Sequence, residues 1–393
     1  MRDFSVEYTA KSGVNEFINY MLRFGTRYLE IWANEPLSDA DISILPQYYP
    51  VIETKAALQD ALDQKIYNLC LNTLKLSMME HYVDCPWREQ ALYVYDSRNQ
   101  MLAGYYAFED KNAEYVKSNI RLISQDTREA SNLLSICYPA GSPLAIPSFS
   151  LHYFREVWEY FENTGDKELL DEAFTKLLSI IKVFADNKKD GLVCRFGGNE
   201  NWNFYDWTDY VSASPRFAEE PVPDAIINLL YIDALDNLKK ICKAIEKPFP
   251  YENESDSIRQ LTKERFYNAE RGLLFFKDGD DYTDLANSLA IVTDTVKGDE
   301  AVKICEKMIA GEAVECTLSM KCFLYDALLK TDEKYKDFVL SEIRKNYKFM
   351  LDSGATSAWE TIKGAEDFAG AGSLCHGWSA IPIYYYHKLG MVE

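Results

Sequence analysis

Histidine is scarce in this chain, with four residues among 393. None sits in an H-E-x-x-H helix and no C-x-x-C pair accompanies them, so the usual zinc signatures are missing. Basic residues are outnumbered, 42 against 62 acidic, for a formal charge of −20. Nucleic-acid binding needs clustered Lys and Arg, and the chain offers only short pairs such as Lys239–Lys240. No apolar run nears the ~20 residues of a spanning helix. The first residues, MRDFSVEYTAKSG, lack the apolar core of a signal peptide. The expectation is a cytoplasmic protein with neither nucleic acid nor membrane as partner. There is no P-loop and no G-x-S-x-G elbow. Gly197-Gly198 is not a dinucleotide fingerprint, and no EF-hand pattern follows Asp278. No metal or organic cofactor is expected. The nine cysteines are odd in number and scattered, which fits reduced thiols.

Hydrophobic residues make up 47%, which excludes a disordered chain. Single cores stop growing near ~250–300 residues, so this length implies two domains or one closed ring. Aromatics reach 14%, and they either fill the core or stack on sugar rings. Residues 1–50 stand apart. Alternation over 26–32 (TRYLEIW) predicts a strand, and Pro46 and Pro50 mark a linker. From 51 to 393 the helical period dominates, beginning with the stripe Leu58, Leu62, Ile66, Leu69, Leu71 and Leu74. Further helices are expected over 98–109, 112–124, 148–163, 167–187, 223–245, 255–267, 283–293, 299–309, 316–330, 333–350 and 373–388. A solenoid would show internal repeats, which are absent. The long loops 142–150, 186–224 and 352–373 carry Trp, Gly and carboxylates, as functional loops do. The fold expected is all-α, an (α/α)6 toroid of helical hairpins behind a short N-terminal strand and linker.

Four clusters could carry chemistry. In Asp84-Cys85-Pro86-Trp87-Arg88-Glu89-Gln90, continuing to Asp96, Asp84 is placed to cap a helix with Pro86 in its first turn. Glu89 and Asp96 would then share a face, being seven residues apart. The plainer reading is an acidic helix start. Ser357-Ala358-Trp359-Glu360 puts a carboxylate beside an aromatic in a Gly-rich loop, or is simply an exposed loop. Gly370–Ala380 offers Ser373 as a cap, then His376 and Trp378, where His376 either meets a substrate or is a satisfied polar residue. Trp202-Asn203-Phe204-Tyr205-Asp206-Trp207-Thr208-Asp209 reads as a sugar platform with hydroxyl acceptors or as a packed loop. Two separated carboxylates across a cleft are what glycoside hydrolysis requires.

Together DCPWREQALYVYDSR, SAWE and GSLCHGWSAIP resemble the catalytic domain of inverting α-L-rhamnosidases, the six-hairpin glycosidases of glycoside hydrolase family 78, in order and over roughly residues 50–390. The resemblance implies Glu89 as general acid and Glu360 as general base. It implies that Asp84, Arg88, Asp96, Trp207, Trp359, His376 and Trp378 bind a carbohydrate substrate. Many members carry the acid six residues after the first Asp, where this chain has Gln90; the spacing from Glu89 to Asp96 is kept. Tyr93 stands where the family often has Trp. The mechanism requires a raised pKa at Glu89, an ionised Glu360, and Arg88 pointing at Asp84 or the sugar. The alternatives are a six-hairpin hydrolase of another glycoside and a non-catalytic carbohydrate-binding protein or fragment.

Overall fold

A computed structural model describes residues 5–20, 22–26, 28–37, 39–125, 132–213 and 220–393. Its helices are α1 (Ala61–Leu76), α2 (Val94–Ala107), α3 (Ala113–Ser124), α4 (Pro147–Thr164), α5 (Lys167–Asp186), α6 (Ala225–Ala244), α7 (Glu254–Phe266), α8 (Asp284–Val292), α9 (Asp299–Ile309), α10 (Lys321–Thr331), α11 (Lys336–Asp352), α12 (Asp367–Gly370) and α13 (Pro382–Lys388). Local chemistry sets many ends. Pro147 opens α4 and left-handed Gly165 closes it. The Asp166 and Asp224 side chains cap α5 and α6 by accepting backbone N–H bonds.

Helices α2, α4, α6, α8, α10 and α13 pack in succession as an inner ring. The ring closes where Tyr385 Oη donates to Cys322 O at 2.8 Å and its ring meets Tyr325 edge-on. Helices α1, α3, α5, α7, α9 and α11 lie outside, so each hairpin pairs an outer with an inner helix. Burial separates the two rings: 13 of 14 residues are buried in α2, but 3 of 13 in α7. A helix buried on all sides belongs inside, and one with a single apolar stripe belongs outside. The all-α toroid of hairpins expected from the sequence is the fold.

The expected strand at 26–32 is not formed. Arg27 lies outside the described residues; the rest of the stretch is unpaired, with Tyr28 and Trp32 each 86% exposed. A strand needs a partner, and the sheets among the described residues are two short hairpins elsewhere, 188–193 and 267–274. The last expected helix, 373–388, is shorter. Residues 373–376 form no helix because their backbone bonds to the Glu360 loop, and a 3₁₀ turn (Gly377–Ala380) precedes α13. Among the described residues no helix is long and apolar enough to cross a membrane. All nine cysteines are buried free thiols.

Candidate active site

The segments that lead into the inner helices meet at one end of the ring. Asp84–Tyr93 precedes α2, Trp202–Trp207 precedes α6, and Glu360–Trp378 precedes α13. They enclose a cavity of about 140 Å³ lined by Asp84, Arg88, Glu89, Tyr93, Asp96, Ile146, Phe149, Trp202, Phe204, Trp207, Glu360, His376 and Trp378. Helix N-termini carry partial positive charge, which favours carboxylates at this end. A larger cleft of about 720 Å³ lies at the C-terminal ends of α6, α8 and α10, among Lys239, Lys243 and Lys330. Its carboxylates, Asp233, Asp236, Glu252 and Asp294, stand among lysines, and none of the candidate residues from the sequence motifs lines it, whereas most of them line the smaller cavity.

Asp84 does not cap a helix, because 84–93 is irregular and α2 begins only at Val94. Its Oδ1 instead accepts from Ala91 N at 2.9 Å, bending the segment into a loop. Gln90 is left-handed (φ 53°), and its amide turns away to bond Arg23 O and Pro86 O. That bend leaves Glu89, not Gln90, on the cavity wall. Asp96 enters from the first turn of α2.

Glu360 is held from several sides. Its Oε2 accepts from Ser373 N at 3.0 Å, and its carbonyl accepts from Trp378 Nε1 at 3.0 Å. Behind it Ala358 N donates to Thr73 Oγ1 of α1 at 2.7 Å. Ser373 caps no helix; its hydroxyl bonds Cys375 O and receives Trp87 Nε1. Trp359, expected against the sugar, does not line the cavity. With Glu360 turned into the cavity, Trp359 packs away from it, on Phe349 of α11 and against Gly364. Trp207, Trp378, Arg88 and His376 do line it. Trp202 and Phe204, from the aromatic run that the sequence offers as a sugar platform or a packed loop, and Tyr93, where the family often has Trp, complete the wall with Ile146 and Phe149, to which no motif pointed.

Arg88 ties the acids together. Its Nε donates to Glu89 at 2.7 Å, Nη2 to Glu360 Oε1 at 2.8 Å, and Nη1 to Ala371 O at 2.6 Å. Only two C–N bonds of ~1.33 Å separate Nε from Nη2, so the bonded carboxylate oxygens lie no more than about 8 Å apart. His376 Nε2 sits 3.8 Å from Asp96, 3.9 Å from Asp84 and 4.0 Å from Glu360, with its ring 3.9 Å from that of Trp378.

Four carboxyls with one guanidinium cannot all stay charged in a buried site. Burial, then the charge of Glu89, pushes Asp84 well up. Burial and the charges of Asp84, Glu360 and Glu89 do the same to Asp96. Burial pushes Glu360 up, with Arg88 pulling partly against it. Burial also pushes Glu89 up, but hydrogen bonds from Asp84 and Arg88 outweigh it and hold Glu89 below its usual value. Burial and Arg88 keep His376 neutral. The expected order is therefore inverted. The raised group beside the loop is Asp84, hydrogen-bonded to Glu89, because Arg88 points at Glu89 and Glu360 instead of at Asp84.

Asp84, Cys85 and Glu89 are the one group among the described residues whose three ligand atoms could hold a metal ion, all lying within 4.8 Å of one another. The Cys85 thiol already donates to Glu89 Oε2 at 3.4 Å, so the trio is bonded internally.

A closed ring of six helical hairpins, with a carboxylate-rich aromatic pocket at the N-terminal ends of its inner helices, is the six-hairpin glycosidase architecture. The chain belongs to the bacterial alpha-L-rhamnosidase six-hairpin glycosidase domain family, whose model matches residues 57–389. It is similar to a family 78 rhamnosidase of Bacillus sp. GL1 (TM-score 0.78, 24% identity), covering 87% of this chain and 36% of that one. It is also similar to a Klebsiella oxytoca rhamnosidase with rhamnose bound (TM-score 0.73, 17% identity, 86% and 66% covered). A more distant likeness is a family 63 mannosylglycerate hydrolase of Thermus thermophilus (TM-score 0.58, 12% identity, 82% and 100% covered). The chain thus spans about a third of the Bacillus enzyme's length. No curated protein matches it in sequence.

Proposed function

We propose that this chain carries the catalytic site of a glycosidase that removes terminal α-L-rhamnosyl residues with inversion. The observation that carries the reading is that Glu89 and Glu360 face one cavity from two arms of Arg88, their bonded oxygens at most about 8 Å apart. That ceiling admits both the ~6.5–9.5 Å of inverting enzymes and the ~5–5.5 Å of retaining ones, so inversion is taken from the family resemblance. Glu360 takes a proton from water as its oxygen attacks the anomeric carbon. Glu89 delivers a proton to the leaving oxygen, drawing on the one held between Asp84 and Glu89. Each turnover consumes one water, and the proton that Glu360 gains balances the one Glu89 gives up. Asp84, Asp96 and neutral His376 bond the sugar hydroxyls, and Trp207 and Trp378 pack against its apolar face. The small cavity suits one terminal sugar.

A second reading, hydrolysis of a different glycoside, is favoured by Tyr93 on the cavity wall and by the likeness to the mannosylglycerate hydrolase. A panel of aryl glycosides assayed with wild type and Glu89→Gln tests both. The first reading expects release from the α-L-rhamnoside, falling about 10²–10⁴-fold in the variant. Release from another member alone favours the second. An unaffected variant removes Glu89 from the chemistry.

A further inference from the structure

The aromatic run 202–209 reads as a sugar platform whose Asp residues accept hydroxyls. The structure turns Asp206 the other way. It is fully buried and absent from the cavity wall, while its neighbour Trp207 is on it. The Asp206 carboxylate accepts four hydrogen bonds from protein. Oδ1 takes Trp207 N at 2.7 Å, Ser319 Oγ at 2.8 Å and the Thr317 hydroxyl, and Oδ2 takes Thr317 N at 2.9 Å.

These bonds tie the Trp207 segment of the cavity wall to a segment behind it, Thr317 being 111 residues from Asp206 in sequence. The second segment is itself fastened to the inner ring, since Ser319 O accepts from Tyr95 Oη at 2.6 Å and Asn99 Nδ2 at 3.2 Å on α2. Among the described residues, the aromatic neighbours of the Trp207 ring are tilted or edge-on: Phe204 at 4.7 Å, Trp202 at 5.6 Å and Phe368 at 4.8 Å. Aromatic packing of this kind admits several orientations, whereas a charge-assisted bond to the backbone N–H of Trp207 fixes where its Cα stands. Phe368 in turn lies 5.7 Å from the Arg88 guanidinium.

We propose that Asp206 is a positioning residue: it anchors Trp207 as the wall against which the sugar's apolar face packs. This rests on the hydrolase reading for its substrate, but the anchoring itself does not. Asp206 touches no reacting atom, so its loss should weaken substrate binding and spare the acid–base step.

The test has a kinetic arm and a fluorescence arm. In Asp206→Asn the amide confronts Thr317 N–H with a donor, and KM should rise about tenfold while kcat stays within about threefold and the pH profile keeps its limbs. Thr317→Val should move KM the same way by a smaller factor, and Thr317→Ser should restore it. Acrylamide quenching of Trp207, isolated by difference against Trp207→Phe, should increase in Asp206→Asn without any substrate. A fall in kcat as large as the rise in KM with a lowered Tm, or an unchanged KM and unchanged quenching, overturns the proposal. If Asp206→Asn does not fold, an unchanged KM in Thr317→Val overturns it. A wild type that hydrolyses no glycoside contradicts the hydrolase reading alone, and quenching then decides the anchoring.

Discussion

Arg88 reaches Glu360 across 272 positions of sequence, donating from Nη2 to Oε1 at 2.8 Å while its Nε holds the adjacent Glu89. One guanidinium thus pulls down the pKa of both carboxyls to which chemistry is assigned, against the upward push of burial. Replacing Arg88 by Met removes the group that pulls both downward. The base must be ionised, so the acidic limb of kcat/KM should move to higher pH. A pH–rate profile checks this; an unmoved limb would show that Arg88 does not set the base.

The hydrogen bond from Ala358 N to Thr73 Oγ1 ties the Glu360 loop to α1 in a fully buried setting. Thr73→Val keeps the shape and orphans the N–H, at a cost of about 1–3 kcal/mol. Thermal unfolding should show the loss. Because Glu360 follows two residues later, kcat should fall more than KM rises.

Trp359 and Trp378 should behave differently despite their similar place in the motifs. Trp359→Phe alters packing on Phe349 behind the site, so KM should stay within about twofold. Trp378→Phe removes the bond to Glu360 O and changes the cavity wall, so kcat/KM should fall about tenfold or more. Kinetics of the two variants side by side separate them, and equal effects would place Trp359 in the pocket.

Glu156 of α4 is 1% exposed; its Oε1 accepts from Ser97, and burial pushes its pKa up to about 8. A folded-state pKa above the unfolded one gives stability that is complete below the unfolded value. That stability is lost as pH rises through the folded one. Between about pH 4.5 and 8 the wild type should lose up to ~1.4 kcal/mol per pH unit from this group. Glu156→Gln should flatten that slope and raise Tm at pH 8, which denaturation at several pH values measures.

The ring was legible because the outer helices carry clean apolar stripes and the connections carry Pro, Gly and Asp. The start of α2 was not. Its residues Asp96, Ser97, Arg98, Asn99 and Gln100 are polar yet buried. Partners distant in sequence satisfy several of them, such as Glu156 for Ser97 and Glu159 for Arg98. A polar run of this kind looks like a surface or a loop until its partners are known. The site carboxyls were legible as motifs, and the structure brings Asp84, Glu89, Asp96 and Glu360 around one cavity. Which of them is raised was not legible, because it depends on where Arg88 points, and that is set by Ala371 O and Glu360 far along the chain. The outward turn of Trp359 and the inward anchoring of Asp206 also depend on backbone direction, which spacing does not reveal.

The central claim, acid–base hydrolysis with inversion at Glu89 and Glu360, is tested most directly by the anomer released first. Proton NMR of wild-type protein mixed with an aryl α-L-rhamnopyranoside, read before mutarotation, should show β-L-rhamnose appearing first. Initial α-L-rhamnose would mean retention, and would contradict a water-activating Glu360 opposite Glu89.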